Sequence, residues 1–193
     1  MNYKVTTRRD PRCMRSLALA FIVAGVSTLA WSDAPDVPSD TPFIVLADNL
    51  DEPNGYGFCL DTAGRGQSDF MQAHSCKPAV KDDAGNPTPN DTQFTYDSDN
   101  TRVESVAFPG YCMQVLMSTY TTVLALLDCD DHPRQKFAMS SEDNTLRMME
   151  DPTLCVAVTS ETIEAGPWSR RDVVLVSCDE TEDALKQWVL IAD

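Results

Sequence analysis

Histidine is almost missing from this 193-residue chain, which has two, and glycine is sparse at eight. No H-E-x-x-H, G-x-S-x-G or C-x-x-C spacing occurs, which leaves out the zinc-peptidase helix, the serine-hydrolase elbow and the paired cysteines of zinc sites. Neither a catalytic centre nor a metal or cofactor is therefore expected. Bases are also short: 15 Lys and Arg face 30 Asp and Glu, a net charge of −15. Such a chain repels phosphate backbones and anionic lipid, so nucleic acid and acidic membrane surfaces are excluded as partners. What remains is ordinary for a globular protein, 42% apolar and 23% charged, which excludes wholesale disorder, collagen-like repetition and a polytopic membrane protein.

The one long uncharged run, Leu17 to Leu29, follows Lys4, Arg8, Arg9, Arg12 and Arg15, and Ala30-Trp31-Ser32 places small residues where a signal peptidase reads. Residues 1–32 thus read as a secretory signal, too short to span a bilayer comfortably, with Met14 as an alternative start. A secreted or periplasmic protein with no membrane insertion after cleavage is expected. Losing the segment removes five bases and one acid and takes the charge from −15 to −19. Pro35, Pro38 and Pro42 make residues 33–42 an expected extended linker, so the folded domain is expected over 43–193. A unit of about 150 residues buries roughly 70% of its unfolded surface, enough for a true core.

Cys13 falls in the signal, leaving Cys59, Cys76, Cys112, Cys129, Cys155 and Cys178. An even count in an exported chain implies disulfides, and six cysteines allow 15 connectivities. The spacing narrows them: consecutive pairs lie 17, 17 and 23 positions apart, as three copies of one unit would. The text around each pair repeats too. Each first cysteine sits in a short run (GFCLDT, GYCMQV, TLCVAV), each second one ends another (FMQAHSC, VLALLDC, VVLVSC), and an aromatic run follows (QFTY, QKFAM, QWVLI). A fourth run (FIVL, TRVESV, TLRMM) precedes each first cysteine. These runs are β-branched and aromatic, bounded by Gly, Pro, Asn and Asp, and no stretch sustains a helical period. The fold class is therefore all-β: three repeats of four strands, closing a small barrel and its cap around one core. Phe94, Phe137 and Trp188 recur after the pairs and are expected to meet in that core.

These residues resemble the ricin-B-type (R-type) β-trefoil lectin domain, whose repeat runs Cys-hydrophobic-Asp, a strand ending aromatic-x-Cys, then Gln-x-Trp or a relative. The resemblance covers roughly residues 43–193, with repeats near 43–100, 101–144 and 145–193. It implies a pseudo-threefold β-trefoil with one disulfide per repeat, and a glycan as partner. It also implies that the Asp after the first cysteine accepts sugar hydroxyls while an aromatic near the second stacks on the pyranose. The first repeat keeps Cys59-Leu60-Asp61 and has His74 two residues before Cys76. Asp61, His74, Gln72, Asp91 and Gln93 are the expected carbohydrate-binding set, with Asp61 exposed to the ligand. The second repeat has Gln114 and Leu127 at the two key positions and the third has Ala157 and Val176, so both are expected to be structural.

Three further readings stay open at this level. Asp61 and His74 are candidates for an acid–base dyad. The segments Asp128-Cys129-Asp130-Asp131-His132 and Asp97-Ser98-Asp99-Asn100 are acidic enough for a cation, although turn chemistry explains both. With its sugar sites decayed, a trefoil serves instead as a non-catalytic scaffold for protein–protein interaction, such as the binding subunit of a toxin-like assembly or an inhibitor.

Overall fold

The structure is a computed structural model that describes residues 34–38, 42–63, 70–78, 80–85, 87–88, 90–119 and 122–192. The chain divides into two compact units, Met1–Ala30 and Trp31–Asp193. The first unit, and with it the expected signal segment 1–32, lies outside the described residues.

Among the described residues the second unit has fifteen strands, twelve of them in three similar sets of four, as the recurring runs around the cysteine pairs implied. The first set is β1 (Phe43–Leu46), β2 (Phe58–Thr62), β3 (Met71–Ser75), a two-stranded insertion of β4 (Val80–Lys81) and β5 (Pro87–Thr88), and then β6 (Phe94–Asp97). The second is β7 (Arg102–Ser105), β8 (Tyr111–Met117), β9 (Thr122–Asp128), a 3-10 turn over Pro133–Gln135, and β10 (Phe137–Met139). The third is β11 (Leu146–Met148), β12 (Leu154–Val158), an added strand β13 (Ile163–Ala165), β14 (Trp168–Ser177), a one-turn helix α1 (Asp183–Lys186), and β15 (Trp188–Ile191).

Pairing registers repeat with the sets. In each, the second strand pairs antiparallel with the third: Cys59 opposite His74, Cys112 opposite Leu127, Cys155 opposite Val176. The first strand meets the second at one equivalent point, Val45 with Cys59, Glu104 with Cys112 and Arg147 with Cys155. The last strand of each set pairs with the first of the next: β6 with β7, β10 with β11, and β15 back onto β1. That return closes the threefold ring and leaves β1 paired on both edges. The architecture is a β-trefoil.

The three recurrent aromatics occupy equivalent registers, Phe94 opposite Ser105, Phe137 opposite Met148 and Trp188 opposite Leu46. All three are fully buried in one cluster with Leu60, Met113, Val115 and Val156, each side chain contributing about 1.5–3 kcal/mol. The indole of Trp188 donates to Val156 O at 2.8 Å, which removes the cost of burying its N–H. Each repeat carries its own disulfide, Cys59–Cys76, Cys112–Cys129 and Cys155–Cys178.

Residues 34–38, within the stretch 33–42 expected as an extended linker, form no regular element and lie against the domain. The amide of Asp36 donates to Gly55 O at 2.7 Å, and Val37 packs on a second cluster of Phe43, Val45, Cys59 and Cys76. Here β1 is buried on both faces, so its outer face needs a cover, and this segment supplies part of it. Gly57 permits the approach: its φ is +74°, and a Cβ there would collide with Pro35 Cβ.

Among the described residues, no helix is long and apolar enough to cross a membrane.

Candidate functional site

Strand alternation in β2, β3 and β14 divides their side chains between two faces. One face carries Phe58, Leu60, Met71, Ala73 and Val173 into the core. The opposite face presents Phe70, Gln72 and His74 beside Trp168, Arg170 and Asp172, because β14 pairs with β3 at Arg170–His74 and Asp172–Gln72. These six line an open groove of about 1480 Å³. Lys77, Asn90 and Asp91 complete its near wall, and Phe108 with Thr122, Val123 and Leu124 from the second repeat form the far one.

The long β14 is held to β3 by more than its ladder. Ser75 Oγ donates to Glu52 Oε1 at 2.6 Å and accepts from the amide of Ser169 at 3.0 Å. Glu52 is 3% exposed, and its carboxylate also takes the amides of Asn54 and Tyr56, which ties the β1–β2 loop to the same point. Next along β14, Arg171 turns inward over the ring of Phe58 at 5.1 Å and donates to Thr159 O, Ser160 O and Leu50 O. Buried charge-assisted bonds of this kind fix the outward residues on either side. Trp168 is thereby set against Tyr56, their ring centroids 6.2 Å apart.

The five expected sugar ligands divide. Gln72, His74 and Asp91 line the groove; Asp61 and Gln93 do not. Asp61 is fully buried, which corrects the expectation of an exposed sugar acceptor. Its carboxyl accepts from the Thr62 amide at 2.8 Å and from Gln72 Nε2 at 3.0 Å, with Lys77 Nζ at 3.5 Å. The physical reason lies in register: Asp61 is directly opposite Gln72, whose amide closes over it. Burial raises the Asp61 pKa to about 7, and the charge of Asp91 adds to the rise, against the pull of Lys77 and the two hydrogen bonds.

Gln93 is likewise internal. Its Oε1 accepts from the Asn90 amide at 2.9 Å, so it closes a turn. Gln135 shows the same use, accepting from the Asp130 amide and donating to Asp128 O and to Gln114 Oε1. In the third repeat Lys186 takes over, donating to Cys178 O at 2.7 Å and Thr181 O at 2.8 Å. The polar residue before each closing aromatic therefore locks the preceding loop.

Along the groove, His74 donates from Nδ1 to Ser75 O at 3.0 Å, since a carbonyl only accepts. Burial holds its pKa below 6.5, so at neutral pH the ring is uncharged and Nε2 is an acceptor. No hydrogen bond joins His74 to Asp61 among the described residues, and each is engaged elsewhere, so the acid–base dyad is not assembled. Lys77 bridges Asp91 at 2.7 Å and Asp61 at 3.5 Å, and Arg170 pairs with Asp172 at 2.6 Å. Both acidic segments read as cation candidates are turns. Asp97 accepts from the amides of Asp99 and Asn100, and Asp130 accepts from the amide of His132, whose Nδ1 caps the 3-10 turn.

Comparison with known proteins agrees with the architecture. A non-toxic homologue of type II RIPs from Momordica charantia (bitter gourd), solved in complex with α-methyl-D-galactoside, superposes with a TM-score of 0.52 at 13% identity over 77% of this chain. The C-half of an earthworm R-type lectin, in complex with GalNAc, gives 0.51 at 12% identity over 79%. The chain shares the β-trefoil fold of these two proteins. It spans 46% of the length of the first protein and 98% of the second. No family model matches the chain, and no curated protein matches its sequence.

Within this trefoil the three hairpins are not equivalent. Position for position, Asp61, Gln72 and His74 of the first become Gln114, Ala125 and Leu127 in the second and Ala157, Val174 and Val176 in the third. The polar row belongs to the first alone. Sequence reasoning missed Lys77, Trp168 and Arg170. Lys77 stands directly after Cys76, where a lone base in an acidic region is the one available signal. Trp168 and Arg170 give no local signal, because they reach the groove only through the pairing of β14 with β3, about 95 residues away in sequence.

Proposed function

We propose that the groove on the β2–β3–β14 face is a carbohydrate site, and that the protein is an exported, non-catalytic lectin-like module with this one site. The observation that carries the reading is the pairing of donors with acceptors beside an indole. Lys77 with Asp91 and Arg170 with Asp172 each set a cation against a carboxylate, and His74 Nε2 adds an acceptor. Sugar hydroxyls both donate and accept, so such a mixed row suits a neutral polyol, while an anion meets Asp91 and Asp172 as well as the bases. A flat aromatic covers the C–H face of a pyranose. The bound sugars of the two proteins with this fold support the reading, and the basic and apolar pattern of residues 1–32 supports export.

The affinity of one shallow site for a single sugar is of millimolar order, about 4 kcal/mol. A glycan array displaying ligands multivalently tests the proposal with oxidised wild type and Asp91→Ala, a substitution at a partly exposed position. The expected result is a defined set of glycans bound by wild type and lost from the variant. Silence across the array favours the second reading, a protein-binding scaffold. One observation speaks for that alternative: the far wall of the groove, with Phe108, Val123 and Leu124, is apolar.

A further inference from the structure

The groove is larger than one sugar needs, and two of its three aromatic residues, Trp168 and Phe70, stand at opposite ends of the β3–β14 floor, with Phe108 on the far wall. Small-ligand pockets usually enclose about 300–1000 Å³, and this one extends to about 1480 Å³. Along the paired strands, Trp168 lies two residues beyond the Arg170–His74 pair, and Phe70 lies two residues beyond Gln72 at the other end. That is six residue steps, or about 20 Å at the usual rise of roughly 3.3 Å per residue. Between the ends sit the polar side chains Gln72, His74, Arg170 and Asp172 on one face. Phe70 is 58% exposed, the largest exposure of any large apolar side chain among the described residues.

We propose that the groove binds an oligosaccharide chain laid along β3 and β14, with Trp168 and Phe70 as stacking platforms for two of its residues. This rests on the carbohydrate reading and gives it a ligand class. The site is composite: the first repeat contributes Phe70, Gln72 and His74, and the third contributes Trp168 and Arg170. A chain with a polar middle and a pyranose face over each ring matches this order of side chains. A lone hexose reaches one platform and leaves the other exposed to water. Each aromatic stacking contact adds affinity only when the ligand is long enough to reach it, as linked binding events do.

The test is titration of wild type with N-acetyllactosamine oligomers and β-1,4-linked N-acetylglucosamine oligomers from one to about six sugars, together with the glycans selected on the array. Affinity is expected to rise about tenfold or more between one sugar and four. In Phe70→Ala, a change at an exposed position, the four-sugar ligand is expected to bind no tighter than the single sugar. In a Trp31→Phe background, ligand binding is also expected to change tryptophan fluorescence, and not when Trp168→Phe is added, because the remaining indole, Trp188, is fully buried. Equal affinity for one sugar and four overturns the oligosaccharide proposal and leaves the carbohydrate site standing. Length dependence that survives in Phe70→Ala overturns the assignment of the second platform. No binding by a glycan of any length overturns both readings together.

Discussion

Lys77 holds its ammonium 2.7 Å from Asp91 and 3.5 Å from Asp61, joining a partly exposed wall of the groove to a carboxyl that is fully buried beneath it. The motif that points to a sugar acceptor has here become the underside of the site. Asp61 orients Gln72 and lies against Lys77, and those two side chains face the groove.

This relationship makes stability depend on pH. Asp61 titrates near pH 7 in the folded protein, against 3.8 for an ordinary Asp. A carboxyl raised in this way binds its proton more tightly folded than unfolded. Its contribution favours the fold at low pH, declines as pH rises through the interval from about 4 to about 7, and levels off above. A displacement of about three pH units corresponds to about 4 kcal/mol as an order of magnitude. Asp61→Asn removes the titration, so the variant is expected to gain stability relative to wild type between about pH 5 and about pH 8. Urea unfolding of both proteins at the two pH values measures the change; an equal difference at both contradicts the buried, raised carboxyl.

The loop locks give a second prediction. Lys186 is 8% exposed, yet its ammonium donates to two carbonyls, Cys178 O and Thr181 O. Lys186→Met keeps the aliphatic stem and leaves both carbonyls without that donor, at an expected cost of about 2–3 kcal/mol. Chemical denaturation measures it, and a cost below about 0.5 kcal/mol, the level of an ordinary surface change, contradicts the role.

Each repeat depends on its own disulfide. Peptide mapping without reduction is expected to recover Cys59–Cys76, Cys112–Cys129 and Cys155–Cys178. Replacing Cys59 and Cys76 together by Ala is expected to cost about 3 kcal/mol from loop entropy. Further loss comes from packing, because both sulfurs sit in the cluster with Phe43 and Val45. A Cys76–Cys112 bridge in the map contradicts the repeat.

Much of the fold is legible in the sequence because the trefoil writes itself three times. The cysteine intervals, the four short runs around each pair and the recurrence of Phe94, Phe137 and Trp188 are local patterns, and the structure places them at equivalent registers. The site is less legible. An Asp after Cys looks the same in sequence whether its carboxyl points to solvent or, as Asp61 does, under a Gln on the neighbouring strand. Gln93 misleads for the same reason: a polar side chain near the candidate pocket turns out to close a turn. Residues 34–38 have the composition of a linker, and only the need of β1 for an outer cover shows why they pack. Trp168 enters through long-range pairing and through the buried bonds of Ser75, Glu52 and Arg171, which no local pattern records.

The most direct test of the carbohydrate site is a two-dimensional NMR titration of oxidised protein with the tightest glycan from the array. The amides of Gln72, His74, Asp91 and Arg170 and the indole N–H of Trp168 are expected to shift together and saturably, while those around Leu127 and Val176 stay in place. Shifts confined to the amides around Leu127 and Val176, or none at saturating glycan, would contradict it.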